Sequence, residues 1–266
     1  MSPLTISYLT NRREPYFEWF FDSLSNQCTP SDQPVIVVDF YADDEPRRQW
    51  VKELAARHGF PVTHVSPKPS LWQGKHKITR FECFDAGNAR NTALCLCQTM
   101  FIAWADDVSV LMPGWYREAM LATTRNAWTF GSYRKAFDMD VVNGNLVHLR
   151  DNPIGHDNRR AHVGSRMGAA PCPPEWLFGC SLVAPVEAVL DLGGWPERLC
   201  AGTGYEDGVM ALLVKRARHR TFFAPMMFSV ESEEAHHVDL PFKRWDPCIG
   251  DPSAQPKNDK SHAMMD

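Results

Sequence analysis

The chain has 266 residues, 44% hydrophobic and 23% charged, ordinary proportions for a folded chain with a sizeable core. Lys and Arg number 28 against 32 Asp and Glu, a formal net charge of -4, which disfavours a protein that coats nucleic acid by neutralising phosphates. No run of about 18 apolar residues suggests a membrane span, and MSPLTISYLTNRREPYF lacks a basic-then-apolar export pattern, so a cytoplasmic setting is expected.

The N-terminal part alternates strand and helix. Leu4 to Leu9 reads as a strand ending at Thr10-Asn11-Arg12, and PYFEWFFDSLSNQ then carries apolar residues at helical spacing. Pro34 introduces Val35 to Val38, an apolar run of the kind buried on both faces of a parallel sheet, with Asp39 at its end. EPRRQWVKELAARHG reads as a helix stopped by Gly59, and Pro61 to Val65 as a third strand. AGNARNTALCLCQ is the next helix, and Met100 to Ala105 a fourth strand ending in Asp106-Asp107. This rhythm predicts an α/β layer structure, whose ligands gather at the carboxyl ends of strands, where Thr10, Asp39 and Asp107 fall.

From about 129 to 175 the character changes. Asn143-Gly144 between apolar runs predicts a hairpin, after which the chain is rich in glycine, histidine and arginine and is expected to form a long irregular loop. Regular structure is expected again over Trp176 to Ala184, in a helix from Pro185, a Gly-Gly turn and a helix from Glu206 to Ala217. The stretch from Asp246 reads as a frayed tail. The eight cysteines form no CxxC pair and are expected to be free, with Cys95 and Cys97 buried in an apolar helix.

Four stretches carry candidate chemistry. Asp106 and Asp107 leave a buried strand, where adjacent carboxylates need solvent, donors or a cation; hard oxygens suit Mg²⁺ or Mn²⁺. Arg90 opens a helix, where an anion is already favoured and a guanidinium adds a bidentate contact. Gly193 to Asp207 crowds small residues around Trp195 and the pair Glu206-Asp207, leaving room for a sugar ring that Trp195 would face. Paired acids in a first helical turn also simply offset the helix dipole. His236 and His237 would complement an acidic metal site if the chain returns to the sheet edge.

In this order the motifs resemble those of the nucleotide-sugar glycosyltransferases of the GT-A fold, the broad family 2-like group, with a C-terminal block like that of β-1,4-galactosyltransferases. They are Thr10-Asn11-Arg12, Asp39, Ala89-Arg90-Asn91, the acids ending at Asp107, Phe178-Gly179-Cys180-Ser181, Gly193-Gly194-Trp195-Pro196-Glu197, Gly202 to Asp207, and His236. The resemblance implies a Rossmann-like, mostly parallel sheet flanked by helices, with a smaller acceptor-side part. It implies one domain over 1–245, a nucleotide-binding half 1–115, an acceptor-binding half 116–245, and a tail 246–266. Thr10, Arg12, Asp39, Arg90 and Asp106 would bind the donor. Asp107 and His236 would hold Mn²⁺ or Mg²⁺, with His237 competing for the role. Gly194, Trp195 and Tyr205 would face the acceptor. Asp207 would act as general base beside Glu206. Ala105 stands where the family's DxD motif has its first acid, leaving Asp106 as the candidate for that place.

The activity so implied is transfer of a sugar from a nucleoside diphosphate, with UDP favoured, to an acceptor hydroxyl with inversion. The acceptor class stays open among saccharide, lipid-linked glycan, protein and modified DNA base. Segment 132–175 is the candidate acceptor loop, with Arg159, Arg160 and Arg166 as contacts for a phosphate-bearing acceptor. The alternatives are a nucleotidyltransferase, against which TNRREP lacks glycine, and a non-catalytic nucleotide-sugar or carbohydrate-binding protein.

Overall fold

A computed structural model describes residues 2–78, 84–164, 166–199, 205–233 and 235. The predicted ligands His236 and His237, the glycine run 202–204 and the predicted tail lie outside the described residues. In chain order the first elements are β1 (Leu4–Thr10), α1 (Phe17–Ser25), β2 (Val35–Asp39), α2 (Glu45–His58), β3 (Val62–Val65), α3 (Ala86–Leu96), β4 (Phe101–Asp106), β5 (Ser109–Leu111) and α4 (Trp115–Arg125). They are followed by β6 (Trp128–Val142), β7 (Asn145–His156), α5 (Arg159–Val163), β8 (Ala170–Pro171), β9 (Ser181–Pro185), α6 (Val186–Asp191), α7 (Glu206–Arg216) and β10 (Thr221–Ser232). One sheet runs in the order β3-β2-β1-β4-β9-β6-β10-β5, with β7 added beside β6 and β8 beside β10. Strands β1, β2, β3, β4, β6 and β10 point one way and the other four oppose them, so the expected mostly parallel sheet flanked by helices is observed.

Alternation along the central strands assigns each face its helices. Val35 and Val37 of β2, Ile6 and Tyr8 of β1, and Ala103 and Ala105 of β4 pack with Phe17, Phe20, Val51, Leu54 and Trp115 from α1, α2 and α4. Ile36, Val38, Ile102 and Trp104 point the other way, against Ala89 and Ala93 of α3, Val189 of α6 and Met210 and Val214 of α7. Both faces are therefore covered, which is why β2 reads as an unbroken apolar run. Each fully buried Val or Ile there contributes about 1.5–3 kcal/mol relative to exposure. The same coverage leaves the strand ends as the sheet's open chemical margin, and polar residues begin there at Thr10, Asp39 and Asp106.

Two expectations are corrected. The expected hairpin is longer than predicted: β7 continues to His156, into the stretch expected to be an irregular loop. Its turn is at Asn143-Gly144 as expected, both at positive φ (50° and 73°). Register shifts between Arg134 and Ala136, Ala136 and Asp138, and Asp140 and Val141 break the two-residue alternation that identifies a strand. Cys95 and Cys97 are not buried: the sequestered part of α3 ends at Leu94, Cys95 is exposed and Cys97 half-buried. All described cysteines are free. No helix among the described residues is long and apolar enough to cross a membrane.

Candidate active site

Two polar networks meet at the carboxyl end of β4, and the adjacent acids Asp106 and Asp107 divide them. Asp107 Oδ2 accepts the Thr10 hydroxyl at 2.7 Å and pairs with Arg12 Nε at 2.9 Å. Arg12 is 1% exposed, and its Nη1 donates to the Ala235 carbonyl at 3.3 Å. Arg47 donates to the Arg12 carbonyl and pairs through Nε with Asp39 Oδ2 at 3.2 Å. Asp39 is wholly buried; its Oδ2 also meets His64 Nε2 at 3.1 Å, and its Oδ1 accepts the Tyr41 N–H at 2.9 Å. A buried carboxylate is tolerated when so compensated. The predicted donor residues Thr10, Arg12 and Asp39 thus form one continuous network with Asp107, in which Asp39 acts through Arg47.

The second network centres on Arg90. Its guanidinium lies 3.2 Å from Asp207 Oδ1, 3.3 Å from Glu206 Oε1 and 3.7 Å from Asp106 Oδ1. It stacks 4.5 Å above the Trp195 ring, while Trp104 meets that ring edge-on at 5.5 Å. Trp195 is only 2% exposed, so the face expected to receive a sugar is occupied by Arg90. The local sequence explains the placement. Asp85 caps α3 by accepting the Asn88 N–H at 3.0 Å, which fixes the phase that points Arg90 and Asn91 inward. Asn91 then grips the Gly193-Gly194 turn, accepting the Trp195 N–H at 2.7 Å and donating to its carbonyl at 2.9 Å. Gly194 sits at φ +79° with Asn91 Oδ1 only 2.7 Å from where a Cβ would be, so it serves this clamp. Tyr205, immediately before α7, is 63% exposed.

Asp207 is held from a third side. Its Oδ2 accepts the Gly179 N–H at 2.8 Å. Burial pushes its carboxyl up to about 6, and the neighbouring Glu206 and Asp106 carboxylates add to the rise, which Arg90 and the Gly179 N–H oppose. Gly179 cannot carry a side chain here: a Cβ would collide with the Arg90 guanidinium and lie 2.8 Å from Asp207 Oδ1. Gly179→Ala is expected to lower the unfolding free energy by about 1–3 kcal/mol through overpacking. A urea titration indistinguishable from wild type would show that this contact yields freely.

Among the described residues no three His, Cys, Asp or Glu side chains gather as a metal centre. Two adjacent carboxylates, Asp106 with its side chain 38% exposed and Asp107 at 11%, nevertheless fit Mg²⁺ or Mn²⁺, which takes few protein oxygens when phosphates supply the rest. Arg12 ties Asp107 to Ala235, the residue before His236. Sequence reasoning missed Arg47 and His64, whose role is visible only once β2, α2 and β3 are placed side by side. It also misplaced Arg159, which is buried and paired with Asp157 through Nε at 2.8 Å and Nη2 at 2.7 Å. Arg159 is therefore unavailable to an acceptor phosphate.

No family model and no curated protein matches the sequence. Solved structures do. The chain aligns with TarS 1-349 of S. aureus at a TM-score of 0.58 and 13% identity, covering 99% of this chain and 68% of that one. It aligns with GalNAc-T7, in complex with UDP, GalNAc and Mn²⁺, at 0.59 and 10%, covering 87% and 44%. With mannosyltransferase PcManGT of Pyrobaculum calidifontis, in complex with GDP-Man and Mn²⁺, it gives 0.57 and 18%, covering 99% and 70%. A longer TarS structure is spanned over only 41% of its length. The chain has the GT-A glycosyltransferase fold.

Proposed function

We infer that the protein is a nucleotide-sugar-dependent glycosyltransferase that moves a sugar to an acceptor hydroxyl with inversion. The observation that carries this reading is the meeting of two networks at Asp106-Asp107: a buried cluster carrying Arg12 and Arg47 at the ends of β1 and β2, and a carboxylate of raised pKa on α7. The solved structures of this fold hold UDP, UDP-GlcNAc or GDP-Man, which supports a nucleoside diphosphate donor, UDP first.

Thr10, Arg12 and the Asp39-Arg47 pair would shape the nucleotide side. Asp106 and Asp107, with His236 or His237, would hold Mn²⁺ or Mg²⁺, which when bound offsets charge on the leaving diphosphate. Arg90 lies between Asp106 and Asp207, where the leaving group and the acceptor come together, and its positive charge opposes charge build-up on that side. Asp207 takes the acceptor proton as the hydroxyl attacks, a task for which a pKa near working pH is suited. Glu206 pairs with Arg90 and raises the Asp207 pKa, which leaves Asp207 as the base. Attack from the Asp207 side opposite the diphosphate inverts the anomeric carbon.

Incubation with UDP- and GDP-sugars and Mn²⁺, assayed for free nucleoside diphosphate, tests the reading. Release of pyrophosphate would indicate nucleotidyl transfer, and binding without any product a non-catalytic protein. The pH profile has a required sign. Asp207 acts only when ionised, so donor turnover is expected to fall as pH drops through about 6 and to level off above it. A profile flat down to pH 4 (about two units lower) would remove Asp207 from the reaction.

A further inference from the structure

With Trp195 covered by Arg90, an apolar surface for the acceptor must come from elsewhere, and Phe178 provides it. This side chain is 40% exposed and immediately precedes Gly179, whose N–H fixes Asp207. An isolated exposed phenyl would carry no meaning. This one is braced. The Arg159 guanidinium lies 4.4 Å from its centroid and 4.9 Å from that of Phe223, which backs Arg159 from the core. Arg159 is locked in turn by Asp157, by the Gly131 carbonyl at 2.8 Å and by the Trp176 carbonyl. Tyr133 meets Phe178 edge-to-face, with centroids 5.6 Å apart at 84°.

Polar groups border the plate. Burial, with Cys180, Glu231 and Asp157 nearby, pushes the Tyr133 phenol up to about 12, so its hydroxyl remains able to donate. Lys135, two residues along β6, pairs with Glu233 at 3.3 Å and reaches Glu231 at 3.9 Å. Register sets Lys135 opposite Glu231 and Tyr133 opposite Ser229. Asp106, Asp207 and Glu231 all act electrostatically on the Cys180 thiol, so this surface and the base share one neighbourhood.

Resting on the glycosyltransferase reading, we propose that Phe178 is the platform of an acceptor subsite, taking a saccharide ring by its C–H face while Tyr133 and Lys135 meet its hydroxyl edge. The neighbouring Asp106, Asp207 and Glu231 carboxylates disfavour a polyanionic acceptor, which separates this assignment from nucleic acid. Rigid aromatic faces with a polar margin are the usual way to bind an amphipathic ring.

The test uses the full chain with para-fluorophenylalanine incorporated, the Phe178 resonance being assigned from Phe178→Leu. Methyl glycosides of glucose, galactose, mannose and N-acetylglucosamine are titrated in the presence of UDP and Mn²⁺. At least one glycoside is expected to shift the Phe178 signal. Phe178→Ala should weaken that glycoside about tenfold and Phe178→Trp restore it, with UDP affinity the same in all three proteins. UDP binding with no glycoside felt at Phe178, or a Phe178→Ala protein that binds the glycoside as wild type does, overturns the subsite alone. A response to an oligonucleotide in place of every glycoside also overturns it. Failure of wild type to bind either UDP or GDP removes the transferase reading and the subsite together.

Discussion

Asp207→Asn is expected to lower sugar transfer by about 10²–10⁴-fold while leaving nucleotide affinity unchanged. The amide keeps the size of the carboxyl and its contact with the Gly179 N–H, but it cannot take a proton from an attacking hydroxyl. The same replacement should stabilise the fold at neutral and alkaline pH. Asp207 has a folded pKa raised to about 6 from an ordinary 3.8, so its ionised form is the less favourable one in the folded protein. Above about 6 the wild type carries that penalty and the Asn variant does not, a difference of roughly 1–3 kcal/mol. Below the unfolded-state pKa both proteins have a neutral group and the difference disappears. Urea titrations at acid and alkaline pH, run beside the transfer assay, read both effects. Near-normal transfer by the Asn variant would assign the base elsewhere.

Arg90→Ala has the largest expected effect on stability. Arg90 is the shared counter-charge of Asp106, Glu206 and Asp207, and the most enclosed of these, Glu206, has a side chain 7% exposed. Removing one partner of a buried ion pair costs about 3–5 kcal/mol because the remaining charge stays desolvated. The Trp195 ring also loses the cation on its face. Arg90→Lys should recover only part of the loss, since one ammonium cannot span three carboxylates and stack as a planar fork does. With Arg90 gone, the Asp207 pKa has lost the main influence that lowers it and should rise, moving the acid limb of the activity profile upward. A stable Arg90→Ala protein with an unmoved profile would show that the acids are not organised around this residue.

What was legible in the sequence follows the physics of burial. Strands covered on both faces declare themselves as apolar runs, so β1, β2 and β4, and the polar residues at their ends, were readable. Helix α3 was readable as an element, but Asn91's clamp on the Trp195 loop joins groups 104 positions apart and leaves no local signal. The β6–β7 hairpin announced its turn and hid its strands, because bulges break the alternation. β10 was hidden differently: TFFAPMMFSVES contains Pro225, a residue that argues against an interior strand, and the register shift between Ala224 and Phe228 is what accommodates it. Trp195 and Arg159 illustrate a further limit. Residue type suggested a sugar platform and a phosphate contact, yet each is consumed by packing, Trp195 beneath Arg90 and Arg159 beneath Phe178. Composition tells which groups exist; only placement tells which remain open to a ligand.

In the proposed reaction Asp106 and Asp107 stand where a nucleoside diphosphate meets a divalent cation. Crystals grown with UDP and Mn²⁺ test it most directly. Mn²⁺ is expected against these carboxylates, with an imidazole from His236 or His237 beside it and the uracil toward Thr10, Arg12 and Arg47. A nucleotide seated instead in the cleft at the opposite end of the strands, between Asp32, Pro61 and Gln98, with no metal at Asp106-Asp107, would contradict it.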